Sequence, residues 1–68
     1  MKKYKLTDET IEFKGRTLYR IEALRNFRDV KAGDKGGFVE SEENLSQEGD
    51  CWIYGDTKVI ENAVVADW

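Results

Sequence analysis

Along the last eighteen residues the apolar and polar positions repeat every six, in the units CWIYGD, TKVIEN and AVVADW. The third position of each unit is a branched aliphatic (Ile53, Val59, Val65) and the first is small (Cys51, Thr57, Ala63). One aliphatic and one small residue turned inward every six residues is the pattern of a parallel β-helix, in which three such units complete a triangular coil. Gly49-Asp50, Gly55-Asp56, Glu61-Asn62 and Asp67-Trp68 recur at equivalent spacing, which places Gly, Asp and Asn at the corners where such a coil bends. Coils bury their apolar edges only by stacking, and roughly three or more repeats are usually needed for stability. The pattern predicts a stacking surface that residues 51–68 do not fill by themselves.

Nearer the N-terminus the period shortens to two. Residues 3–6 (KYKL) and 10–13 (TIEF) read as short strands, and a Lys14-Gly15 turn leads into Thr17–Ala23, where Tyr19, Ile21 and Ala23 alternate with Arg20 and Glu22. Alternation of this kind marks a half-buried strand, so the segment predicts a β-hairpin with Gly15 at its turn. A short helix through Leu18, Ile21 and Leu24 fits the same letters less well. From Asn26 to Asn44 three glycines fall within five positions, at 33, 36 and 37, which predicts tight turns or positive φ angles in place of a regular element. Phe27, Val30, Phe38 and Val39 are the expected anchors of that stretch. The division is one domain, 1–68, with a β-hairpin region (1–28), a Gly-rich turn region (29–50) and one hexapeptide coil (51–68).

Sixty-eight residues bury only about 60% of the surface exposed by their unfolded chain, so the core is small. Cys51 is the single cysteine, which excludes an internal disulfide, and with no histidine beside it no zinc site is expected. The lone thiol and the polar start MKKYKLTDETIE favour a cytoplasmic protein without a membrane span or signal peptide. The net charge of −3 conceals a division: residues 1–35 carry +4 and residues 36–68 carry −7. A split of that size either steers a basic partner to the acidic half, aligns two copies head to tail, or is a solvated surface.

Coils of this pattern are common in acyltransferases, but without histidine the usual general base is missing, and Glu40, Glu42, Glu43 and Glu48 lie in no apolar run that would raise a carboxyl pKa. The expectation is therefore no catalytic residue, no cofactor and no enzymatic activity. Cys51, in an inward slot, reads as a buried structural thiol. GDKGG lacks the Lys-Ser/Thr ending of a phosphate loop and reads as a turn. Lys and Arg interleaved with Tyr4, Tyr19 and Phe27 would suit a nucleic-acid face, yet six acids share that region, so direct nucleic-acid binding is not the reading favoured.

The candidate partner-binding residues are the acids Glu40, Glu42, Glu43, Glu48 and Asp50, which would imitate phosphates, together with the aromatics Trp52, Tyr54 and Trp68. Trp52 and Tyr54 flank the inward Ile53 and should point outward as interface anchors. For Trp52 the alternative is packing beneath the hairpin. Trp68 either closes the coil end or inserts into a neighbour.

The run DVKAGDKGGFVESEENLSQEGDCWIY, residues 29–54, resembles the N-terminal module of a bacterial and phage family of hexapeptide-repeat, left-handed β-helix proteins. The shared elements are Asp29-Val30-Lys31-Ala32-Gly33, Gly36-Gly37, Val39, Leu45-Ser46 and Gly49-Asp50-Cys51-Trp52-Ile53-Tyr54. Members are similar in fold to acyltransferases and continue through many further repeats. The resemblance implies a mainly β fold in which a hairpin or small sheet precedes about one coil of a left-handed parallel β-helix, and a phage setting in a bacterial cytoplasm. The function expected is a small protein-binding protein, homodimeric, that blocks or sequesters a host defence or nucleic-acid-binding protein in the manner of an anti-CRISPR inhibitor. The second expectation is a structural protein that self-associates by coil stacking, and the third a nucleic-acid binder.

Overall fold

A computed structural model of the chain describes residues 2–66. The architecture is mainly β: a four-stranded sheet in the order β1-β2-β3-β4, made of Tyr4–Phe13, Arg16–Ala23, Lys35–Val39 and Lys58–Val59, plus one short 3-10 turn at Glu42–Asn44. β1 and β2 form the expected antiparallel hairpin, closed by Lys14 (φ 53) and Gly15 (φ 76). Two central residues at positive φ make the reverse turn whose twist matches that of the strands it joins. The two short strands expected at 3–6 and 10–13 are one strand, because an irregularity between Leu6 and Thr10 absorbs residues 7–9 without ending the pairing. Thr7 Oγ1 donates to the Arg20 carbonyl at 2.8 Å, so a side chain supplies the hydrogen bond lost from the ladder there. No helix forms at 18–24; Ile21 and Ala23 face the core as the alternation predicts, and Leu18 is buried as well.

β3 pairs antiparallel with β2 and parallel with β4, so it is the strand at which a hairpin gives way to a coil. Val39 stands opposite Val59, and an isolated parallel bridge sets Leu45 opposite Val65. The strand that carries the parallel pairing therefore begins at residue 35, inside the stretch expected to be turn, and the partial coil continues from there through successive incomplete turns. Successive turns are offset by twenty positions, two more than three six-residue units, and the surplus lies between Leu45 and Ile53, where Gly49 turns at φ 71. The aliphatic row keeps its phase: Ile53 and Val59 are buried and Val65 packs against them. Of the small positions only Cys51 is inside; Thr57 and Ala63 are exposed.

Gly36 and Gly37 lie within β3 and not in turns. A Cβ on Gly37 would stand 2.4 Å from Ile53 Cγ2 and 2.5 Å from the Thr57 carbonyl, and one on Gly36 would meet Trp52, Ile21 and the Ile53 carbonyl at 2.7–2.8 Å. These glycines let β3 lie directly against the chain segment 52–57. Of the three clustered glycines only Gly33, at φ 95, has the positive φ expected of them.

Trp52 takes the second of its two readings. It is 8% exposed and meets Tyr4 and Phe27 edge-on, with ring centroids 6.4 and 5.3 Å away, so it is core and presents no outward anchor. The hairpin covers it, which the strict in-out alternation of a coil does not anticipate. Tyr4 is itself fully buried and donates its hydroxyl to the Leu45 carbonyl at 2.6 Å and the Glu42 carbonyl at 2.9 Å. Burial first, and the Glu42 charge second, push its phenol up to about 12. Phe27, Val30, Phe38 and Val39 are all buried, as expected of anchors.

Gly37→Ala is expected to lower stability by about 1–3 kcal/mol through overpacking. Its denaturant midpoint should fall, while Gly15→Asn at the exposed hairpin turn, where asparagine tolerates positive φ, should change it little.

Candidate functional site

The feature of the fold with most functional content is the far edge of the coil. In a parallel ladder a residue that bonds its neighbour with both backbone groups leaves the flanking residues' groups aimed the other way. Val65 donates to the Asn44 carbonyl at 2.7 Å and accepts from Ser46 at 2.9 Å, so both its groups serve the preceding turn of coil. Phe38 is likewise the bonding residue opposite Lys58, its N–H donating to the Thr57 carbonyl at 2.9 Å. The N–H and C=O of Lys58 then face away from β3, and the C=O of Val64 and the N–H of Ala66 face away from residues 44–46. Among the described residues β4 is the last strand of the sheet.

The corners of the two turns show the same one-sidedness. Asn44, immediately before Leu45, is 1% exposed. Its Oδ1 accepts from the backbone of Glu40 (3.0 Å) and Ser41 (2.9 Å), and its Nδ2 donates to the carbonyls of Glu61 (3.1 Å) and Ala63 (2.8 Å) in the following turn. One amide side chain thus closes its own corner and clamps the next. Val64 holds the corresponding place before Val65 and is 62% exposed. A hollow of about 170 Å³ lined by Glu43, Asn44, Glu61, Asn62, Ala63 and Val64 lies beside it.

The charges divided along the sequence are brought together in space. Among the described residues, four of the five ion pairs join the basic first half to the acidic second half: Lys2 to Glu42, Arg16 to Glu40, Arg16 to Glu61, and Arg20 to Asp56. Arg20 also pairs with Glu9 and lies 4.3 Å over the Phe38 ring. Exposed pairs of this kind are each worth only about 0–1 kcal/mol, so their effect is to fix which surfaces meet. Arg16 brings the hairpin end of β2 to both corners of the coil. The N–H of Glu61 and then Arg16 hold the Glu40 carboxyl below the usual carboxylate range. Glu40's contribution is thus present above that range and lost as pH falls through its lowered pKa.

The expected partner-binding residues stand in different local settings. Glu40 is half-buried in the Arg16 contact, and Glu42 pairs with Lys2. Glu43 and Glu48 are exposed and carry no ion pair among the described residues, and Asp50 is exposed with its carbonyl accepting from Arg28. Tyr54 is 49% exposed, as expected, and donates to Asp29 at 2.9 Å, a contact that raises its phenol pKa. Trp68 lies outside the described residues. Sequence reasoning did not single out Asn44, Val64 or the backbone of Lys58, because only the pairing register gives them meaning. Among the described residues no helix is long and apolar enough to cross a membrane.

No family model matches the chain. It is similar to a protein of Escherichia coli (strain K12) named Uncharacterized acetyltransferase YdcK, at 39% identity over 73 residues that cover 96% of this chain. The chain spans only 22% of that relative's length. The resemblance overturns the expectation of a protein with no part in enzymatic activity, which rested on the missing histidine.

Asn44→Ala should cost about 2–4 kcal/mol, since it strands two amides and two carbonyls at the joint between turns. In thermal melts Asn44→Ala should fall well below Glu43→Ala, which removes an exposed carboxylate without an ion pair.

Proposed function

We propose that this chain is the coil-nucleating module of an acetyl-transferring, hexapeptide-repeat protein of the left-handed β-helix kind. Its hairpin closes one side of the coil stack, and its open edge receives the next coil. The carrying observation is the one-sided edge: Lys58, Val64 and Ala66 present backbone groups and an exposed aliphatic at the places where the preceding turn is already covered. The likeness to a protein named an acetyltransferase supports the class of the whole, since nearly all of this chain aligns with a fifth of that protein. The expected protein-binding role is kept in this form, with a β-helical coil as the partner.

The division of labour follows from the physics of repeats. A first coil has no template beneath it, and each repeat is stable only against its neighbours. A hairpin packed on β3 supplies that template without itself needing one, because its turn and cross-strand pairs are local. Acetyl transfer then belongs to the assembled stack, whose geometry depends on the register set by Val39 against Val59 and Leu45 against Val65.

A chimera tests the reading. These 68 residues replace the aligned segment of the Escherichia coli relative. The chimera is expected to be soluble, to unfold cooperatively near the parent's Tm and to release free thiol from an acetyl thioester at a comparable rate. Deleting the segment, or introducing Val64→Asp, should produce an aggregating protein. A deletion variant as stable as the chimera would refute the nucleating role, and closed dimers formed through the same edge would assign it to self-association.

A further inference from the structure

The most unusual side chain in the core is a lysine. Lys3 is fully buried. Its Nζ donates to the Cys51 carbonyl at 2.7 Å and the Glu48 carbonyl at 3.5 Å, lies 5.4 Å from the Phe27 ring centroid, and stands 3.3 Å from Cys51 Sγ. A buried ammonium is costly unless paired, and here carbonyls, a ring face and a thiol surround it. The thiol's remaining neighbours are the carbonyls of Ser46, Glu48 and Val65 at 3.7–3.8 Å. Two nucleophilic side chains, from opposite ends of the chain, therefore face each other with nitrogen and sulfur close to contact.

We propose that Lys3 and Cys51 form a reducible covalent bridge under peroxide. Oxidation of a cysteine gives a sulfenic acid, which condenses with a nearby nitrogen to a sulfenamide. Peroxide first transfers one oxygen to Sγ, giving the sulfenic acid and one water. Lys3, after releasing a proton, attacks that sulfur; the S–N bond forms, the S–O bond breaks, and a second water leaves. In sum, lysine ammonium, thiol and hydrogen peroxide give the sulfenamide, two waters and one proton; sulfur is oxidised and peroxide reduced. A thiol reagent reverses the step by attacking sulfur and expelling the amine.

The bridge would join the chain just before β1 to the start of the 51–53 segment. Cross-linking residues far apart in sequence constrains the unfolded chain, so the oxidised protein should melt at a higher temperature than the reduced one. The inference stands apart from the coil-stacking role, since it rests on contacts within one chain.

Peptide mapping of the wild-type chain tests it. After mild hydrogen peroxide treatment, the expected product has lost two hydrogens in intact mass. It should resist cleavage after Lys3, give a peptide linking Lys3 to Cys51, and revert with dithiothreitol. Cys51→Ser and Lys3→Met should each abolish the linked peptide. Should Cys51 proceed to sulfinic acid, or pair with a second chain, while Lys3 remains open to amine-reactive label, the proposal is overturned. Because the decisive reading is made on the wild type, it holds even where a variant fails to fold.

Discussion

The structure depends on how closely β3 approaches residues 52–57. Gly36 and Gly37 have no side chains, and the space a Cβ would need is occupied by Ile53, Trp52 and the Thr57 carbonyl. That contact brings residues 57–59 alongside 37–39 and turns an antiparallel sheet into the first rung of a parallel coil. Everything beyond it follows from the register so fixed: Val39 on Val59, Leu45 on Val65, and Asn44 beneath the carbonyls of Glu61 and Ala63.

Around this contact the two halves of the chain are complementary. The hairpin supplies Tyr4, Ile21 and Ala23 to the core and cations to the rim, while the coil supplies Trp52, Ile53 and Val59 to the core and carboxylates to the rim. Surface ion pairs add little stability individually. The orientation they favour nevertheless matters, because Arg16 touches both corners of the coil and so relates the hairpin to each turn. Among the described residues, three bases of the first half and four acids of the second meet in these pairs, so part of the charge split is neutralised within the molecule.

Much of the fold was legible in the letters. Period-two alternation located the hairpin, Lys14-Gly15 its turn, and the aliphatics at 53, 59 and 65 the inward row. What local pattern did not reveal depends on partners distant in sequence. The role of Gly36-Gly37 is a close approach to residues more than a dozen positions away, which looks like a turn signal when read locally. Trp52 is outward by the alternation of a coil and inward because a hairpin covers it. The onset of the coil at β3 was hidden by the two extra residues that break the six-residue phase. The open edge was anticipated as a stacking surface, but the residues forming it were not, since backbone direction is a property of pairing. Of the candidate acids chosen by proximity in sequence, Glu40 and Glu42 are in ion pairs with bases from the other half, which only the folded arrangement reveals.

In the proposed role, Lys58, Val64 and Ala66 face the place of another coil, and residue-resolved amide hydrogen exchange reads this directly. In the isolated chain the amides of Lys58 and Ala66 should exchange rapidly while that of Val65, bonded to Asn44, is protected. When these residues carry a stacked coil, as in the chimera with the Escherichia coli relative, Lys58 and Ala66 should become protected together with Val65. Continued rapid exchange at Lys58 and Ala66 in a folded chimera would contradict the account.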